Sequence, residues 1–480
     1  MRLGVVGVGR LAGHFRVQRF ALLALSILFA SCGDSTAPEQ QVPLDLLDRL
    51  NALPGVHAQE IEPHYGYPRA FQLDITQPVD HDHPEGATFT QRAYLSHGDT
   101  LIPMVFAPSG YGTSPESGQE LGWILGANCL SVTHRYFPDS RPSPVDWSYL
   151  NIRQAAADHH RIVTLLKQVY TGRWVSTGSS KGGETVLFHR RFYPDDVDAT
   201  VAYVAPLLFS TADPRPMPYL QSVETGEERT AIHAFQRALL ERKDQLLDDF
   251  ARWFPDRGYS YSLPVAPLFE SAAVTYEWEF FQRHVFSVSD IPASDAPDSV
   301  MVAHLADAVR LEFNSDMYRD YFRAYVYQAL TEIGDVDIPG SHLADLLEET
   351  PTDVREVYGF PADLVLQYRP DVIPDVLNWI QTQGSRIVLI YGALDPWTGG
   401  AVELTGATDA LKVIQPGGDH SVKIYDLDRR DEVLAKLSEW LGMHVTMPPG
   451  PPPMLAPPEA EAMRIREPDV LWPVLRGRSR

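Results

Sequence analysis

The sequence predicts an α/β fold, in which a mainly parallel sheet core is interrupted by a large helical cap. Short apolar runs typical of buried strands alternate with helical patterns over residues 66–208, and the alternation resumes over residues 381–445. Between them, residues 209–380 contain long helical patterns rich in aromatic and acidic residues, and few strand-like runs. Because strands that alternate with helices form parallel sheets, the simplest arrangement is one sheet domain with an inserted cap.

The first part of the core contains most of the predicted strands. Apolar residues such as Ile152, Ile162 and Leu166 recur at helical spacing and predict a helix over residues 148–170. Strands are predicted, in order, at residues 70–76, 88–96, 102–107 and 130–133, from Trp174 onwards, and at 199–204.

The cap and the second part of the core follow the same logic. Helical patterns in the cap occupy residues 231–254, 306–312 and 317–332. The core resumes with strands predicted at 386–392 and 411–414, and it closes with an amphipathic helix over residues 430–441.

The two ends of the chain are predicted to lie outside the folded domain. Residues 1–31 resemble a lipoprotein-type signal peptide, because Arg16 and Arg19 precede a short apolar run and small residues stand before Cys32. Cys32 is the expected lipidation site, and the protein is expected to be exported and lipid-anchored in the bacterial cell envelope. If the cysteine is incidental, the protein is secreted. Residues 32–65 are predicted to be a tether, and residues 446–480 a disordered, Pro-rich tail.

The charge balance excludes some function classes. The chain has 63 acidic and 40 basic residues, for a formal net charge of −23. Such an acidic protein repels nucleic acids and anionic membranes, so no nucleic-acid partner is expected, and membrane contact is expected only through the lipid anchor. The oligomeric state does not follow from the sequence.

The most informative motif is Gly178-Ser179-Ser180-Lys181-Gly182, which lies between a predicted strand and a predicted helix. In α/β-hydrolases a sharp turn of this kind raises a nucleophilic serine above the sheet. We therefore predict that Ser180 is the nucleophile. A Cβ atom at Gly178 or Gly182 is expected to clash, because the turn brings its two backbone arms together.

A serine nucleophile needs a base, and the base needs an orienting acid. In this fold the acid and then the histidine follow the serine along the chain. Asp395 comes just after one buried strand, and His420 lies in a glycine-rich loop after the next strand. Each alone is equally consistent with an ordinary turn residue, but their order behind the serine predicts a triad. Asp419 is a rival acid, although it is adjacent to His420 and so is poorly placed to reach the imidazole.

The oxyanion hole is predicted to use the backbone N–H of Lys181, the residue after the nucleophile. A second donor is expected from the glycine-rich loop that follows an early strand, at Gly110 or Tyr111. The side chain of Lys181 is expected to be structural. This chemistry requires neither a metal ion nor an organic cofactor.

Several motifs of this chain occur together in a known family. They are the Ser-Lys-Gly-Gly elbow with its flanks at 175–206, residues 77–81, Gln91-Arg92, His134-Arg135-Tyr136-Phe137, residues 146–150, residues 391–397 and Asp419-His420. Together these motifs resemble the secreted prolyl tri/tetrapeptidyl aminopeptidase family of serine peptidases, which is related to the prolyl carboxypeptidase and dipeptidyl-peptidase groups. Two departures are Thr133, where relatives commonly carry Glu, and the absence of an expected cysteine at 223–229.

The resemblance implies cleavage after proline, with release of tri- or tetrapeptides from a free N-terminus. It assigns Ser180, Asp395 and His420 as nucleophile, acid and base. Glu332 and Glu277, which stand beside aromatic residues in the cap, are the candidates for binding the substrate amine. Two alternatives remain open from the sequence: an esterase with the same triad, and a lipoprotein that binds peptides without cleaving them.

Overall fold

The computed structural model describes residues 44–349 and 352–453, whose core is a nine-stranded sheet. The order across the sheet is β1-β2-β3-β5-β4-β6-β7-β8-β9, with β4 to β9 parallel and β1 to β3 paired antiparallel. The strands are β1 Val56–Ile61, β2 Arg69–Pro78, β3 Thr88–His97, β4 Met104–Pro108, β5 Asn128–Val132, β6 Trp174–Ser179, β7 Ala199–Tyr203, β8 Ile387–Gly392 and β9 Ala410–Gln415.

Helices cover both faces of the sheet and fill the stretch between β7 and β8. The helices are α1 Leu46–Asn51, α2 Glu120–Leu125, α3 Ile152–Leu166, α4 Lys181–Phe192, α5 Pro216–Val223, α6 Gly226–Glu241, α7 Lys243–Trp253, α8 Val265–Arg283, α9 Asp298–Ala308, α10 Asp316–Gln328, α11 Val354–Tyr358, α12 Val372–Thr382 and α13 Arg430–Leu441. Among residues 44–349 and 352–453, no helix is long and apolar enough to cross a membrane.

The central strands are apolar on both faces, as expected for a parallel sheet that is covered on each side. Val105 joins one buried cluster with residues of α13, whereas its neighbours Met104 and Phe106 join another with residues of α3. Alternate residues of a strand point to opposite faces, so β4 contributes to two cores at once. Because helices pack on both faces and a sharp turn joins β6 to α4, the α/β-hydrolase core predicted from the sequence is confirmed.

Eight of the described helices, α5 to α12, lie between β7 and β8, where the sequence predicts the cap. Helices α5 to α9 share an apolar cluster that includes Phe235, Phe250 and Phe269. Helix α12 differs, because its residues Ile373 and Ile380 pack in the cluster of α4 and β8. The last helix before β8 thus covers the sheet.

Three elements differ from the sequence prediction. Only the start of the helical pattern at residues 306–312 is α-helical, as the end of α9, because Arg310 adopts a left-handed conformation. The pattern over residues 231–254 forms two helices, α6 and α7, because Arg242 leaves the helical conformation. Its guanidinium binds the carbonyl oxygens of Ser294 and Ala296, at 2.8 and 2.9 Å. The predicted tether contains α1 and β1, and β1 pairs with β2 along the sheet edge. Only Val56 and Ala58 of β1 point inward and are buried, so its strand pattern is weak.

The predicted signal peptide and the Cys32 lipidation site lie outside the described residues. The same holds for most of the predicted tail, of which residues 446–453 are described and contain no strand or α-helix. Export, lipid anchoring and tail disorder therefore stay predictions.

Candidate active site

Ser180 lies at the sharp turn between β6 and α4. Its backbone has φ 55° and ψ −129°, a combination that costs energy for any residue with a side chain. The turn is held by a hydrogen bond from Ser180 N–H to the Tyr203 carbonyl, at 2.9 Å, and by one from Glu184 N–H to the Ser180 carbonyl, at 3.0 Å. These bonds join the turn to β7 and start α4, and they keep the strained serine at the carboxyl edge of the sheet.

The turn requires glycine at two positions, of which the sequence prediction identified one. A Cβ atom at Gly178 would lie 2.2 Å from the Gly182 carbonyl oxygen, which excludes any side chain there. The prediction for Gly182 was wrong, because a Cβ there would meet its nearest neighbour, Gly110 N, at 3.4 Å. The second crowded glycine is Gly183, whose Cβ would lie 2.8 Å from the Ala205 Cβ and the Tyr203 carbonyl oxygen.

Asp395 and His420 follow β8 and β9, at the same edge of the sheet as Ser180. His420 Nδ1 lies 2.7 Å from Asp395 Oδ2, and the other oxygen of Asp395 accepts a hydrogen bond from Trp397 N–H at 3.1 Å. The Asp395 side chain is fully buried, and its burial raises the pKa of its carboxyl although His420 opposes the shift. This arrangement holds the imidazole in one orientation, with Nε2 directed away from the acid.

Asp419 is turned away from the imidazole. Its Oδ1 accepts hydrogen bonds from Ser421 N–H at 2.8 Å and from Ser421 Oγ at 2.6 Å, so the carboxylate closes a local turn. The His420 backbone is fixed from the cap, since its N–H donates to the Gln282 carbonyl at 3.1 Å. Nothing in the sequence around Gln282 indicates this contact, because it depends on how α8 packs over the sheet.

The loop after β4 packs directly against the start of α4. A Cβ atom at Gly110 would lie 2.6 Å from Gly182 N and from the carbonyl carbon of Lys181. The Tyr111 N–H donates to Ser109 Oγ at 3.0 Å, whereas Gly110 N faces the turn that follows Ser180. Gly110 is therefore packed against the backbone of Lys181 and Gly182, the two residues that follow Ser180.

The two acids predicted to bind the substrate amine have different surroundings. Glu332 lies in a π-helical turn that continues α10, an irregularity frequent at functional sites. Its Oε2 accepts a hydrogen bond from Ile152 N–H at 2.8 Å, and its carboxylate pairs with Arg369. It lines a cavity of about 400 Å³ together with Tyr327 and the segment just before α3, which contributes Ser148, Leu150 and Asn151.

Glu277 lies inside the cap. Its side chain is 5% exposed, and His233 Nε2 lies 3.4 Å from its Oε1. Burial raises the pKa of Glu277 to about 8, and the neighbouring Glu224 carboxyl adds to this shift. Because a protonated carboxyl carries no charge to attract an ammonium group, Glu277 is a poorer candidate for binding an amine than Glu332, which lines the cavity described above.

Two other histidines share one carboxylate. His160 Nδ1 and His189 Nε2 both lie within hydrogen-bond distance of Asp196 Oδ2, at 2.8 and 2.9 Å, on the helices below the sheet edge. Within residues 44–349 and 352–453, no group of three or more His, Cys, Asp or Glu side chains is arranged to hold a metal ion.

Comparison with known proteins gives three findings of note. A family model described as PS-10 peptidase S37 matches residues 39–466. The chain is 33% identical over 438 residues to the prolyl tri/tetrapeptidyl aminopeptidase of Streptomyces mobaraensis. The match covers 88% of this chain and 91% of that protein. It is 21% identical over 384 residues to the lysosomal Pro-X carboxypeptidase of Bos taurus, with 66% of this chain and 73% of that protein covered.

Among solved structures, the chain is similar to the proline iminopeptidase of Mycobacterium smegmatis. The identity is 13% and the TM-score 0.36, and the match covers 77% of this chain and 98% of that chain.

Proposed function

The chain belongs to the S37 family of serine peptidases, and we propose that it releases tri- or tetrapeptides from free N-termini by cleaving after proline. The Streptomyces relative, whose name describes this activity, supports the specificity. The observation that carries the chemistry is the 2.7 Å contact between His420 Nδ1 and Asp395 Oδ2, at the sheet edge that also holds Ser180.

The proposed reaction proceeds in two steps. In the first, His420 Nε2 takes the proton of Ser180 Oγ while the oxygen attacks the carbonyl carbon of the proline residue, and the same proton then passes to the leaving amine. In the second, His420 takes a proton from water, whose oxygen attacks the carbonyl carbon of the acyl-enzyme. His420 then gives this proton to Ser180 Oγ as the ester C–O bond breaks, which releases the peptide and the free serine. Asp395 keeps Nδ1 protonated and stabilises the imidazolium.

The proposed oxyanion donors are the backbone N–H groups of Lys181 and Gly110. Lys181 opens α4, so its N–H is one of the unpaired amides at a helix start. Gly110 is favoured over Tyr111, because the Tyr111 amide already donates to Ser109 Oγ. Two such donors stabilise the negative charge of the tetrahedral intermediate.

We propose that Glu332 binds the substrate amine. Ile152 N–H holds one oxygen of Glu332, and Ile152 also lines a small cavity with Lys181, the residue after Ser180. Glu332 is thus hydrogen-bonded to a residue that lines the same cavity as the residue after the nucleophile. A carboxylate has more acceptor positions than Ile152 occupies, and Arg369, whose side chain is 51% exposed, is the cation that the amine would replace. A fixed separation between Glu332 and Ser180 would set the number of residues removed.

Glu332→Gln is expected to lower kcat/KM for a free-amine peptide by about 10- to 100-fold, the value of one charge-assisted hydrogen bond. Cleavage of the N-acetylated peptide, which lacks the ammonium group, should not change. Steady-state kinetics on both peptides measure this discrimination. The matched control is Glu277→Gln, for which the ratio of kcat/KM between the free-amine and the acetylated peptide should equal that of the wild type. Loss of discrimination in Glu277→Gln alone would transfer the role to that acid, and an unchanged ratio in both variants would refute the assignment.

A comparison of three substrates tests the proposed function itself: a free-amine Xaa-Xaa-Pro chromogenic amide, its acetylated form and a simple ester of similar size. The proposal expects rapid hydrolysis of the free-amine amide and much slower hydrolysis of the acetylated form. An enzyme that turned over only the ester would be an esterase. If no substrate were hydrolysed and a fluorophosphonate probe did not label Ser180, the protein would be a peptide-binding lipoprotein.

A further inference from the structure

The side chain of Lys181 has a placement that the serine chemistry does not require. Lys181 is the first residue of α4, directly after Ser180, and the whole residue is 3% exposed. Its Nζ donates a hydrogen bond to the Gly110 carbonyl oxygen at 2.7 Å. The residue after the nucleophile thus reaches back to the loop that contains the second proposed oxyanion donor.

The surroundings of this ammonium are aromatic. Nζ lies 5.7 Å from the ring centroids of both Tyr111 and Phe137, a distance at which a cation is attracted to the ring faces. The same loop is tied to the cap, because Gly112 N–H donates to Tyr321 Oη of α10 at 2.9 Å. The loop is therefore held from the elbow by Lys181 and from the cap by Tyr321.

The position is energetically unfavourable for a lysine. Burial lowers the pKa of Lys181 to about 7, against the opposing effect of Glu184, whose own pKa burial raises to about 8. Two histidines, His134 and His159, line a cavity with Lys181, and burial lowers the pKa of each of them. A buried ammonium group that forms no ion pair with a carboxylate destabilises a fold. The presence of a lysine here therefore needs another explanation.

We propose that Lys181 is a positioning residue, whose ammonium fixes the Gly110 peptide so that the Gly110 and Lys181 amides converge on one oxyanion. This rests on the proposed function of Ser180. One residue then supplies one donor through its backbone and aligns the other through its side chain. The arrangement explains why a lysine is tolerated in a buried, largely aromatic environment.

Lys181→Met, which keeps the length of the side chain but removes the donor, tests this inference. We expect kcat for the free-amine prolyl amide to fall by about 10- to 100-fold. This decrease does not exceed the one that follows removal of a whole oxyanion donor. KM should change by less than about threefold. The affinity for a peptide aldehyde ending in prolinal, which forms a tetrahedral adduct with Ser180, should fall in parallel. The affinity for the product peptide should not change.

Thermal unfolding separates a positioning role from a structural one. Because Met removes a buried charge, the thermal midpoint of Lys181→Met should equal or exceed that of the wild type. Lys181→Arg, which keeps a charged donor, should recover part of the lost kcat. Lys167→Met is the matched control, since Lys167 is exposed at the end of α3, and it should change neither kcat nor aldehyde affinity.

The outcomes are distinct. A wild-type enzyme without Ser180-dependent hydrolysis would refute the proposed function and leave no reaction for Lys181 to assist. The positioning role alone would be refuted if the wild type is active and Lys181→Met has a kcat and an aldehyde affinity within threefold of the wild-type values. If Lys181→Met does not fold, Lys181→Leu, which also lacks a donor, takes its place, and a ratio of aldehyde to product affinity within threefold of the wild-type value would refute the positioning role.

Discussion

Ser180→Ala is expected to lower kcat for the free-amine prolyl amide by about 10⁶-fold, because loss of a serine nucleophile removes the acyl-enzyme route altogether. The remaining rate would come from the oxyanion donors and from substrate binding. KM for the peptide should change little, since the hydroxyl contributes to the reaction and not to recognition. The measurement is steady-state hydrolysis together with labelling by a fluorophosphonate probe.

The matched control is Ser179→Ala, the same substitution one residue earlier. Ser179 is the exposed last residue of β6, and its Oγ lies 3.3 Å from Lys423 Nζ, outside the Asp395–His420 pair. This variant should keep both turnover and labelling. Substantial hydrolysis by folded Ser180→Ala, or probe labelling that persists in it, would show that another group is the nucleophile.

Asp158→Asn is expected to lower the free energy of unfolding by about 3–5 kcal/mol, the usual cost of removing one partner of a buried ion pair. The side chains of Asp158 and Arg135 are both fully buried, with Arg135 Nε 2.6 Å from Asp158 Oδ2. His81 Nε2 lies 2.7 Å from Asp158 Oδ1. Arg135 also donates to the carbonyl oxygen of Tyr149, at 2.7 Å. Without the carboxylate, the guanidinium would be an uncompensated charge between β2, α3 and the loop after β5.

Denaturant titration at several pH values measures this effect. Burial by itself would raise the pKa of Asp158, but Arg135 and His81 lower it below the ordinary value of 3.8. A carboxyl whose pKa is lower in the folded state stabilises the fold above about pH 4, and this stabilisation is lost as the pH falls through the folded value. The difference in the free energy of unfolding between the wild type and Asp158→Asn should therefore be constant near neutral pH and decrease below pH 4.

The control for this prediction is an exposed ion pair. Arg153 and Asp82 have side chains that are 67% and 57% exposed, and their closest atoms are 3.0 Å apart. Asp82→Asn should change the free energy of unfolding by less than about 1 kcal/mol, as is usual for surface pairs. Equal losses for Asp82→Asn and Asp158→Asn would contradict the importance of the buried pair.

The elements that the sequence predicted well are those with a local signature. The mainly apolar runs of β4, β7 and β8, whose residues are all buried, need no knowledge of distant residues, because a strand covered on both faces is apolar on both of them. The signature of the elbow is equally local, since Gly178 and Ser180 lie within the same turn. The order of Ser180, Asp395 and His420 could be found because each follows a predicted strand of the same sheet, and the carboxyl ends of parallel strands lie at one edge.

Local signatures failed where the decisive neighbour is far along the chain. The crowding at Gly183 comes from Ala205, and β1 is a strand only because β2 pairs with it. Glu332 could be proposed from its aromatic neighbours, yet its partners Ile152 and Arg369 come from α3 and from the segment before α12.

The sequence alone predicts the α/β-hydrolase core, the helices between two of its strands and the three residues proposed for catalysis, since these follow from local patterns of glycine and apolar residues and from the order of the strands. The groups that hold those three residues in place are visible in the tertiary structure and in no local pattern. The Gln282 carbonyl fixes the His420 loop, Tyr321 holds the loop after β4, and the Lys181 ammonium reaches Gly110. Each of these contacts joins segments far apart in the chain. Packing of the helices over the sheet creates them, and no local pattern encodes that packing.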